Sequence, residues 1–316
     1  MSIKFAGLHH VTAIADNPQE NVDFYSGILG LRLVKKTVNF DDPGSYHLYY
    51  GDATGNPGTI MTFFSWPGAP RGRIGTGQVS ATSFAVPEDS LGYWTERLIE
   101  HGVRFERPRK RRDETVLAFS DPDGLAVELV ARPGRDGGEA WERSPVPAEY
   151  AIRGISGVTL SERSAEVTAD LLANSLGFEK VEEENGRARY ITTSSGGSFA
   201  DVLHRPDGPV GRVAVGTVHH VAWRAPDEET QVTWQEEISD RGFHVTPVLD
   251  RTYFRSIYFR EPGGVLFEIA TDPPGFTIDE DKEHLGENLK LPPWLEEDRE
   301  RIEKILLPVH LAQQRG

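Results

Sequence analysis

Residues 217–224, which read Thr-Val-His-His-Val-Ala-Trp-Arg, have a close counterpart near the start of the chain. There, residues 7–14 read Gly-Leu-His-His-Val-Thr-Ala-Ile, so each segment carries a His-His pair at the start of a short apolar run. Short runs that are rich in apolar and β-branched residues are typical of strands. The two segments are therefore predicted to be the same strand in two copies of one repeated module.

The whole chain can be divided into four units with the order strand, helix, strand, strand, strand. These units cover residues 5–66, 78–132, 152–206 and 217–271. In every unit the predicted helix ends at a glycine that is followed at once by an apolar residue. These glycines are Gly30, Gly102, Gly177 and Gly242. Because glycine readily adopts the positive φ of a tight helix-to-strand reversal, we predict an α+β protein built from four βαβββ modules.

Residues 132–150 are rich in glycine, proline and charge, which indicates a linker between two halves of the chain. We expect an N-terminal half over residues 1–135 and a C-terminal half over residues 150–272, each with two modules. Residues 273–316 differ from both halves: an acidic stretch and two prolines precede an amphipathic segment, predicted to be helical over residues 296–307. This C-terminal extension is expected to be a helical tail that packs on the body of the protein.

Charge and composition exclude several classes of partner. A net charge of -15 repels phosphate backbones and anionic lipid, so we expect neither a nucleic acid nor a membrane as partner. No apolar run approaches the roughly 20 residues of a membrane-spanning helix, and no signal peptide is apparent, so a cytoplasmic protein is expected. The chain has no cysteine, so any metal must be bound by nitrogen and oxygen ligands. Whether the protein forms a homo-oligomer stays open.

The histidine pairs, together with one glutamate, indicate a metal site. Units one and four carry histidines in their first strand, whereas units two and three have Thr82-Ser83 and Ser156-Gly157 at the positions that we align with them. The last strand of unit four contains Glu268 in an otherwise apolar segment, where a buried carboxylate without a partner would be costly. Two histidines and one carboxylate form the ligand set that is associated with non-haem Fe(II) oxygenases.

Regular strand geometry limits which histidines can be ligands. Adjacent side chains in a strand point to opposite faces, so only one histidine of each pair is expected to point towards the metal. From the residues alone, the choice between His9 and His10, and between His219 and His220, stays open.

Other acids and histidines act as controls. Glu128 occupies the repeat position of Glu268 in unit two but has no histidine in its own unit, so we expect it to pair with Arg107 or Arg109 or to face solvent. Asp201 is interpreted in the same way. The remaining histidines lack a matching partner and are expected to be structural or exposed. They are His47, His101, His204, His244, His284 and His310.

Several short motifs occur in order along the chain: Gly-Leu-His-His-Val-Thr at 7–12, Tyr-His-Leu-Tyr-Tyr at 46–50, Pro-Gly-Thr-Ile-Met-Thr at 57–62, Val-His-His-Val-Ala at 218–222 and the segment 261–268. A further one, Pro-Gly-Phe-Thr-Ile-Asp-Glu-Asp, lies at 274–281. Together they resemble the vicinal oxygen chelate superfamily, which includes glyoxalase I and extradiol ring-cleaving dioxygenases, and within it the hydroquinone-type ring-cleaving dioxygenases. The resemblance implies paired vicinal oxygen chelate barrels.

The resemblance also implies an activity and a metal. It implies that His10, His220 and Glu268 hold Fe(II), with Mn(II) as an alternative because the same three ligands suit both ions. The expected enzyme is an extradiol-type ring-cleaving dioxygenase that acts on a small aromatic diol of the hydroquinone or catechol type. It inserts both atoms of O2 into the ring-opened product.

By the same resemblance, five residues are candidates around the metal: His9, Thr12, His219, Arg251 and Tyr258. His219 is expected to be an acid–base group or a hydrogen-bonding group on the dioxygen side, and Thr12 to orient a ligand. Arg251 and Tyr258 are expected to stabilise the substrate or an anionic intermediate. The loop that carries Arg251 is shorter than expected for the family, so Arg255 is the alternative.

Two other functions stay open on the same fold. A glyoxalase-like isomerase or thiol transferase uses its metal without a redox step and commonly has more than one carboxylate ligand. Residues 59–64 of unit one contain no acid, which favours the three-ligand site. A metal-free small-molecule binding protein would bind no iron.

Overall fold

The computed structural model describes residues 5–131, 138–192 and 198–311, and all structural statements below concern these ranges. Module one contains β1 (Leu8–Ala15), α1 (Pro18–Val22), β2 (Arg32–Asn39), β3 (Asp42–Gly51) and β4 (Ile60–Ser65). Module two contains β5 (Gln78–Val86), α2 (Leu91–Glu100), β6 (Arg109–Arg111), β7 (Glu114–Ser120) and β8 (Ala126–Ala131).

Modules three and four repeat this order. Module three contains β9 (Ile155–Glu162), α3 (Ala165–Asp170), β10 (Phe178–Glu184), β11 (Arg187–Thr192) and β12 (Phe199–His204). Module four contains β13 (Val218–Ala225), α4 (Glu228–Asp240), β14 (Leu249–Asp250), β15 (Arg255–Arg260) and β16 (Leu266–Thr271). Helices α1 and α3 each continue as a π-helical turn, over Asp23–Ile28 and Leu171–Ser175.

The strands form two curled eight-stranded sheets. The first has the order β14-β15-β16-β13-β1-β4-β3-β2 and joins modules four and one, and the second has the order β10-β11-β12-β9-β5-β8-β7-β6 and joins modules three and two. At the centre of each sheet, first strands of two modules pair antiparallel, β1 with β13 and β5 with β9. The predicted α+β architecture of four βαβββ modules is thus confirmed.

Local signals in the sequence have the expected effects. The side chain of Asn17 accepts hydrogen bonds from the backbone N–H groups of Gln19 and Glu20 and caps α1. Gly30 and Gly177, which end the helices of modules one and three, both have a φ of 72°. The predicted end of the N-terminal half at residue 135 lies outside the described residues, and the division at 135 and 150 stays a prediction.

The C-terminal extension packs on the first sheet. After a 3₁₀ turn over Pro293–Asp298 it forms α5 (Arg299–Ile305), and Ile302 of this helix joins the main hydrophobic cluster. Lys35, fully buried in β2, forms ion pairs with Asp279 and Glu280 of the extension. The predicted helical tail is confirmed. No helix in the ranges that the structure describes is long and apolar enough to cross a membrane.

Two buried glutamates meet where modules three and four join. Glu162 at the end of β9 is fully buried, and neither of its carboxylate oxygens has a hydrogen-bond partner among the described residues. The nearby Glu261 accepts hydrogen bonds from Thr168 and from the backbone N–H groups of Gly263 and Val265. Burial, together with the charge of Glu261, raises the pKa of Glu162 to about 8. Glu162 is therefore neutral in the folded protein at pH 7.

We expect Glu162→Gln to stabilise the protein at alkaline pH. The folded-state pKa of about 8 lies above the ordinary value of 4.5, so the folded chain retains a proton that the unfolded chain releases. The stability that this proton provides is complete below the ordinary pKa and is lost as pH rises towards the folded pKa. The expected gain of Glu162→Gln near pH 9 is at most about 1.4 kcal/mol for each unit of pKa shift.

Urea unfolding of both proteins across this pH range measures the effect. Glu166→Gln is the control, because Glu166 is an exposed glutamate in the adjacent helix α3. Parallel pH profiles for Glu162→Gln and the native protein would contradict the assignment of a buried neutral acid.

Candidate metal centre

Three side chains on neighbouring strands of the first sheet converge at one point. They are His10 in β1, His220 in β13 and Glu268 in β16. The Nε2 atoms of the two histidines lie 3.3 Å apart, and they lie 3.2 and 2.8 Å from Oε2 of Glu268. All three side chains are buried, and each offers one ligand atom within 4.8 Å of the others. One metal ion can therefore be bound by all three.

The surroundings of Glu268 fit a cation. Its Oε1 accepts a hydrogen bond from Ser256 at 2.5 Å, but Oε2 has no hydrogen-bond donor in suitable geometry among the described residues. Burial acts to raise the pKa of Glu268, and the interactions with His10 and His220 outweigh it, so the pKa lies well below the ordinary 4.5. An ionised, fully buried carboxylate with one unbonded oxygen requires a positive partner. A divalent metal with two nitrogen ligands and one oxygen ligand satisfies this requirement.

Two β-bulges bring both histidines of each pair to the site. The pairing between β1 and β13 skips His9 on one strand and His219 on the other. A bulge disrupts the alternation of side chains and re-aims one of them. As a result, Nδ1 of His9 lies 2.9 Å from Nδ1 of His10, and the same atoms of His219 and His220 lie 2.8 Å apart. The expectation that the two histidines of each pair face opposite sides of the sheet is wrong.

These contacts select the nitrogen that faces the metal position. A histidine ligand normally donates a hydrogen bond from its other ring nitrogen, which fixes its tautomer and orientation. Burial lowers the pKa of His9, and burial with the neighbouring His220 lowers the pKa of His219 to about 3. Both rings are therefore neutral and can accept a hydrogen bond at Nδ1. His10 and His220 then donate from Nδ1 and keep the lone pair of Nε2 for a metal.

The ligands border a small cavity of about 30 Å³. Arg251, Tyr258 and Phe254 from module four line one side of it, and residues of the β2, β3 and β4 strands line the other. The guanidinium carbon of Arg251 lies 5.5 Å from the ring centre of Tyr258, and Arg251 also forms an ion pair with Asp41 at 3.1 Å. Burial raises the pKa of Tyr258, so its hydroxyl stays protonated at neutral pH.

The sequence profile of the Glyoxalase/Bleomycin resistance protein/Dioxygenase superfamily matches residues 7–129 and 154–269. The chain belongs to this superfamily. Over 99% of its length it is 49% identical to MhqO of Bacillus subtilis (strain 168), named as a ring-cleaving dioxygenase, and the match covers 99% of that protein. It is 36% identical to the chlorohydroquinone/hydroquinone 1,2-dioxygenase of Sphingobium indicum, with 92% of each chain covered.

Solved structures of this superfamily agree with the fold. A crystal structure of a Bacillus subtilis protein named as a dioxygenase matches with a TM-score of 0.94 and 48% identity, covering 98% of this chain and 99% of that chain. Glyoxalase I from Zea mays matches with a TM-score of 0.64 over 84% of this chain and 92% of that chain. At 14% identity, the second match shows the fold alone.

The five residues that the resemblance places around the metal fall into two groups. Arg251 and Tyr258 line the cavity. His9 and His219 lie behind the ligands, and Thr12, fully buried, hydrogen-bonds Thr62 with 2.8 Å between the two hydroxyl oxygens. Arg255, the alternative to Arg251, does not line the cavity: it forms an ion pair with Glu228 of α4 at 2.8 Å. The roles of these five residues stay predictions.

His47 is a cavity residue that the sequence reasoning did not single out. Its Nε2 lies 2.8 Å from Oγ1 of Thr62, and its Nδ1 lies 2.8 Å from the hydroxyl of Tyr49. Since Thr62 also contacts Thr12, a continuous hydrogen-bonded chain runs from Tyr49 to the strand that carries His10. His47 and Tyr49 share one face of β3, but the pairing of β3 with β4 was needed to place Thr62 between His47 and Thr12. The other five unmatched histidines are exposed, as expected.

The second sheet corrects one detail of the repeat alignment and shows the partners of Glu128. By strand pairing, Ala81 rather than Thr82 or Ser83 occupies the position of a ligand histidine in module two. Glu128 is buried, and its carboxylate is bound by Arg111 at 2.7 Å and by Ser83 at 2.6 Å. Of the two expected partners, Arg109 forms an ion pair with Glu128 at 3.8 Å. No ion pair joins Arg107 to it among the described residues.

Glu268 and Glu128 form a matched pair for testing metal binding. We expect Glu268→Gln to lower the affinity for Fe(II) or Mn(II) by about a hundredfold or more, because even changes behind the ligands typically cost 10–100-fold. Glu128→Gln should leave one metal ion bound to each chain. Anaerobic titration with metal analysis measures both variants. Retention of the metal by Glu268→Gln, or its loss from Glu128→Gln, would exclude this metal site.

Proposed function

We propose that this protein is a non-haem Fe(II)-dependent ring-cleaving dioxygenase. Its substrate would be an aromatic diol of the hydroquinone or catechol type, and both atoms of O2 would enter the product. The observation that carries this proposal is the buried set of His10, His220 and Glu268, with its unbonded carboxylate oxygen next to two imidazole nitrogens. The names of MhqO and of the chlorohydroquinone/hydroquinone 1,2-dioxygenase support the same reaction class.

Bound Fe(II) would supply the redox chemistry that allows O2 to react with a diol, since a facial triad leaves coordination positions free for both. The residues of this chain would bind and orient the substrate. Arg251 keeps its positive charge at any pH and provides a partner for a phenolate oxygen. Tyr258 is protonated and offers a hydrogen-bond donor beside it. Phe254 and Phe64 line the cavity and would exclude water from the aromatic ring of the substrate.

His219 is proposed as a hydrogen-bonding group on the dioxygen side. Its pKa is lowered to about 3, so the ring is neutral. Its Nδ1 accepts the hydrogen bond from His220, which leaves the N–H group at Nε2 as a hydrogen-bond donor. His9 holds the corresponding position behind His10, where its ring packs against the cavity residue Phe254 with 5.0 Å between the ring centres. We therefore assign His9 an orienting role.

Substrate entry requires the cavity to open. A volume of about 30 Å³ holds one or two water molecules, which is far less than an aromatic ring requires. The outer wall is formed by Asn39, Phe40 and Asp41 at the tip of the β2–β3 hairpin, and the ion pair between Asp41 and Arg251 closes it. Asp41 is largely exposed, and exposed ion pairs contribute at most about 1 kcal/mol. An incoming phenolate can replace Asp41 as the partner of Arg251.

A specific position disfavours a glyoxalase-like isomerase or thiol transferase. The pairing of Thr12 with Thr62 in module one corresponds to the pairing of Ala222 with Glu268 in module four, so Thr62 occupies the place of a second carboxylate ligand. The Thr62 hydroxyl contacts Thr12 and His47. A site with one carboxylate is what the dioxygenase proposal requires. A metal-free binding protein would leave the Glu268 charge without a partner.

Oxygen consumption tests the proposed reaction directly. Protein that is loaded with Fe(II) under anaerobic conditions should take up one O2 for each diol converted, with hydroquinone or with catechol, and the two diols should differ in rate. Loading with Mn(II) shows whether that ion supports the reaction. Stoichiometric iron without oxygen uptake for any diol would overturn the dioxygenase proposal, and isomerase activity without oxygen would support the glyoxalase alternative.

Arg251 and Arg255 form a second matched pair, which tests substrate binding. We expect Arg251→Met to lower kcat/KM by about 10–100-fold, because a hydrogen bond to a charged group contributes about 1.5–3 kcal/mol. Arg255→Met removes the same charge four residues away and should leave kcat/KM within about twofold, since Arg255 faces Glu228. Steady-state oxygen uptake measures both variants. The reverse order of effects would transfer the substrate-binding role to Arg255.

A further inference from the structure

The second sheet has a cavity at the position that corresponds to the metal centre. Strand pairing defines this correspondence. The matching pairs are Ala222 with Glu268 and Thr12 with His220 in the first sheet, and Ser83 with Glu128 and Thr159 with Ala81 in the second. Ala81 and Glu128 therefore occupy the places of His220 and Glu268, and both line the second cavity.

The remaining ligand position cannot hold an imidazole. Gly157 lies opposite Ser83, as His10 lies opposite Ala222, so Gly157 occupies the place of His10. A Cβ atom on Gly157 would lie only 2.3–2.5 Å from ring atoms of Phe199. The ring of Phe199 thus fills the space that the His10 side chain needs. With alanine and glycine at the two histidine positions, this half of the fold cannot bind a metal in the same way.

Arginines take the place of the metal. Arg111 binds Glu128, and Arg189 bridges Glu114 and Asp201 with contacts of 2.7–3.1 Å. The guanidinium carbon of Arg189 lies 3.7 Å from the ring centre of Phe199. The carboxylates of Glu128, Glu114 and Asp201 are therefore neutralised by permanent cations. These three acids are already paired and do not repel an incoming anion as free carboxylates would.

The second cavity is much larger than the first. Its volume is about 410 Å³ against about 30 Å³ at the metal centre, and small-molecule pockets typically measure about 300–1,000 Å³. Ala81 and Ala118 leave this space open, since they replace His220 and Tyr258 of the first sheet. The cavity can accept a small organic molecule without displacing a strand.

Three arginines line this cavity in a protein whose net charge is -15. Arg187 is held in place by Asp201 at 3.1 Å and by Thr159 at 2.9 Å. Within the described residues, the ion-pair partners of Arg109 are Glu106 and Glu128, both distant at 3.8 Å. Arg104 is exposed at the rim. Arginine presents a planar array of N–H donors that matches a carboxylate, so Arg104 and Arg109 can bind one without losing a strong ion pair.

We propose that this cavity binds a small organic carboxylate. The acid group lies between Arg104 and Arg109, and the hydrocarbon part lies against the half-buried side chains of Ala81, Ala118 and Phe105. These apolar side chains favour an organic acid over inorganic phosphate, which has no hydrocarbon part to bury. The site requires no metal and no substrate at His10 and His220, so it is independent of the proposed reaction.

Isothermal titration of the full-length, metal-loaded protein with benzoate, cis,cis-muconate and inorganic phosphate tests this site. The two acids distinguish an aromatic ligand from an open-chain ligand. We expect one of them to bind at a single site, more tightly than phosphate, with affinity that decreases as salt concentration rises. Arg104→Ala and Arg109→Ala should each weaken binding by about tenfold or more, as expected for loss of a charged hydrogen bond.

Two further variants separate this site from other places on the surface. Arg107→Ala removes the same charge between Arg104 and Arg109, but Arg107 does not line the cavity, so this variant should retain the native affinity. Ala81→Leu fills the cavity without a change of charge and should abolish binding, with circular dichroism as the check on folding. Absence of binding by both acids, tighter binding of phosphate, or equal effects of Arg107→Ala and Arg104→Ala would each overturn the proposal.

Discussion

A fully buried carboxylate in the middle of a β-sheet is the constraint on which the first sheet depends. Glu268 has no exposed surface, and water cannot stabilise its charge. Its partners come from β1 and β13, which are the first strands of the first and the last module. The pairing of these distant modules therefore does more than bury apolar surface. It brings two imidazole nitrogens to Oε2, the carboxylate oxygen that Ser256 does not bind.

The two sheets neutralise a buried glutamate in two different ways. Both carry a glutamate at the same position of a parallel strand pair, opposite Ala222 in one sheet and Ser83 in the other. In the second sheet Arg111 supplies a fixed positive charge from β6, which is separated from the strand of Glu128 by β7. In the first sheet the imidazoles of His10 and His220 face Glu268, and a metal ion bound by all three side chains can supply the positive charge. The duplicated scaffold thus tolerates a buried acid wherever a cation can reach it.

The repeated sequence was sufficient to predict the module order, the two histidine pairs and Glu268, and the resemblance to the superfamily then selected His10 and His220 from those pairs. It was not sufficient to predict the contacts of His9 and His219, because a β-bulge has no clear sequence signal and regular alternation places these rings elsewhere. His47 was missed for a related reason: its partner Thr62 lies on a different strand, and only the register joins them. In module two, the position that corresponds to a ligand histidine shifted from Ser83 to Ala81 for the same reason, since the alignment of short strands is ambiguous by two residues.

Side-chain contacts connect the extension beyond β16 to the loop that packs on His9 and His10. Asp279, paired with Lys35, also accepts a hydrogen bond from the hydroxyl of Tyr253, and the next residue, Phe254, packs against the rings of both His9 and His10. Truncation after the last module would leave the ammonium group of Lys35 in the interior without a counter-ion and would release the loop that carries Phe254. The four modules alone are therefore not a minimal unit. A fragment that ends at the last repeat would lack the contacts of the extension that hold Phe254 against His9 and His10.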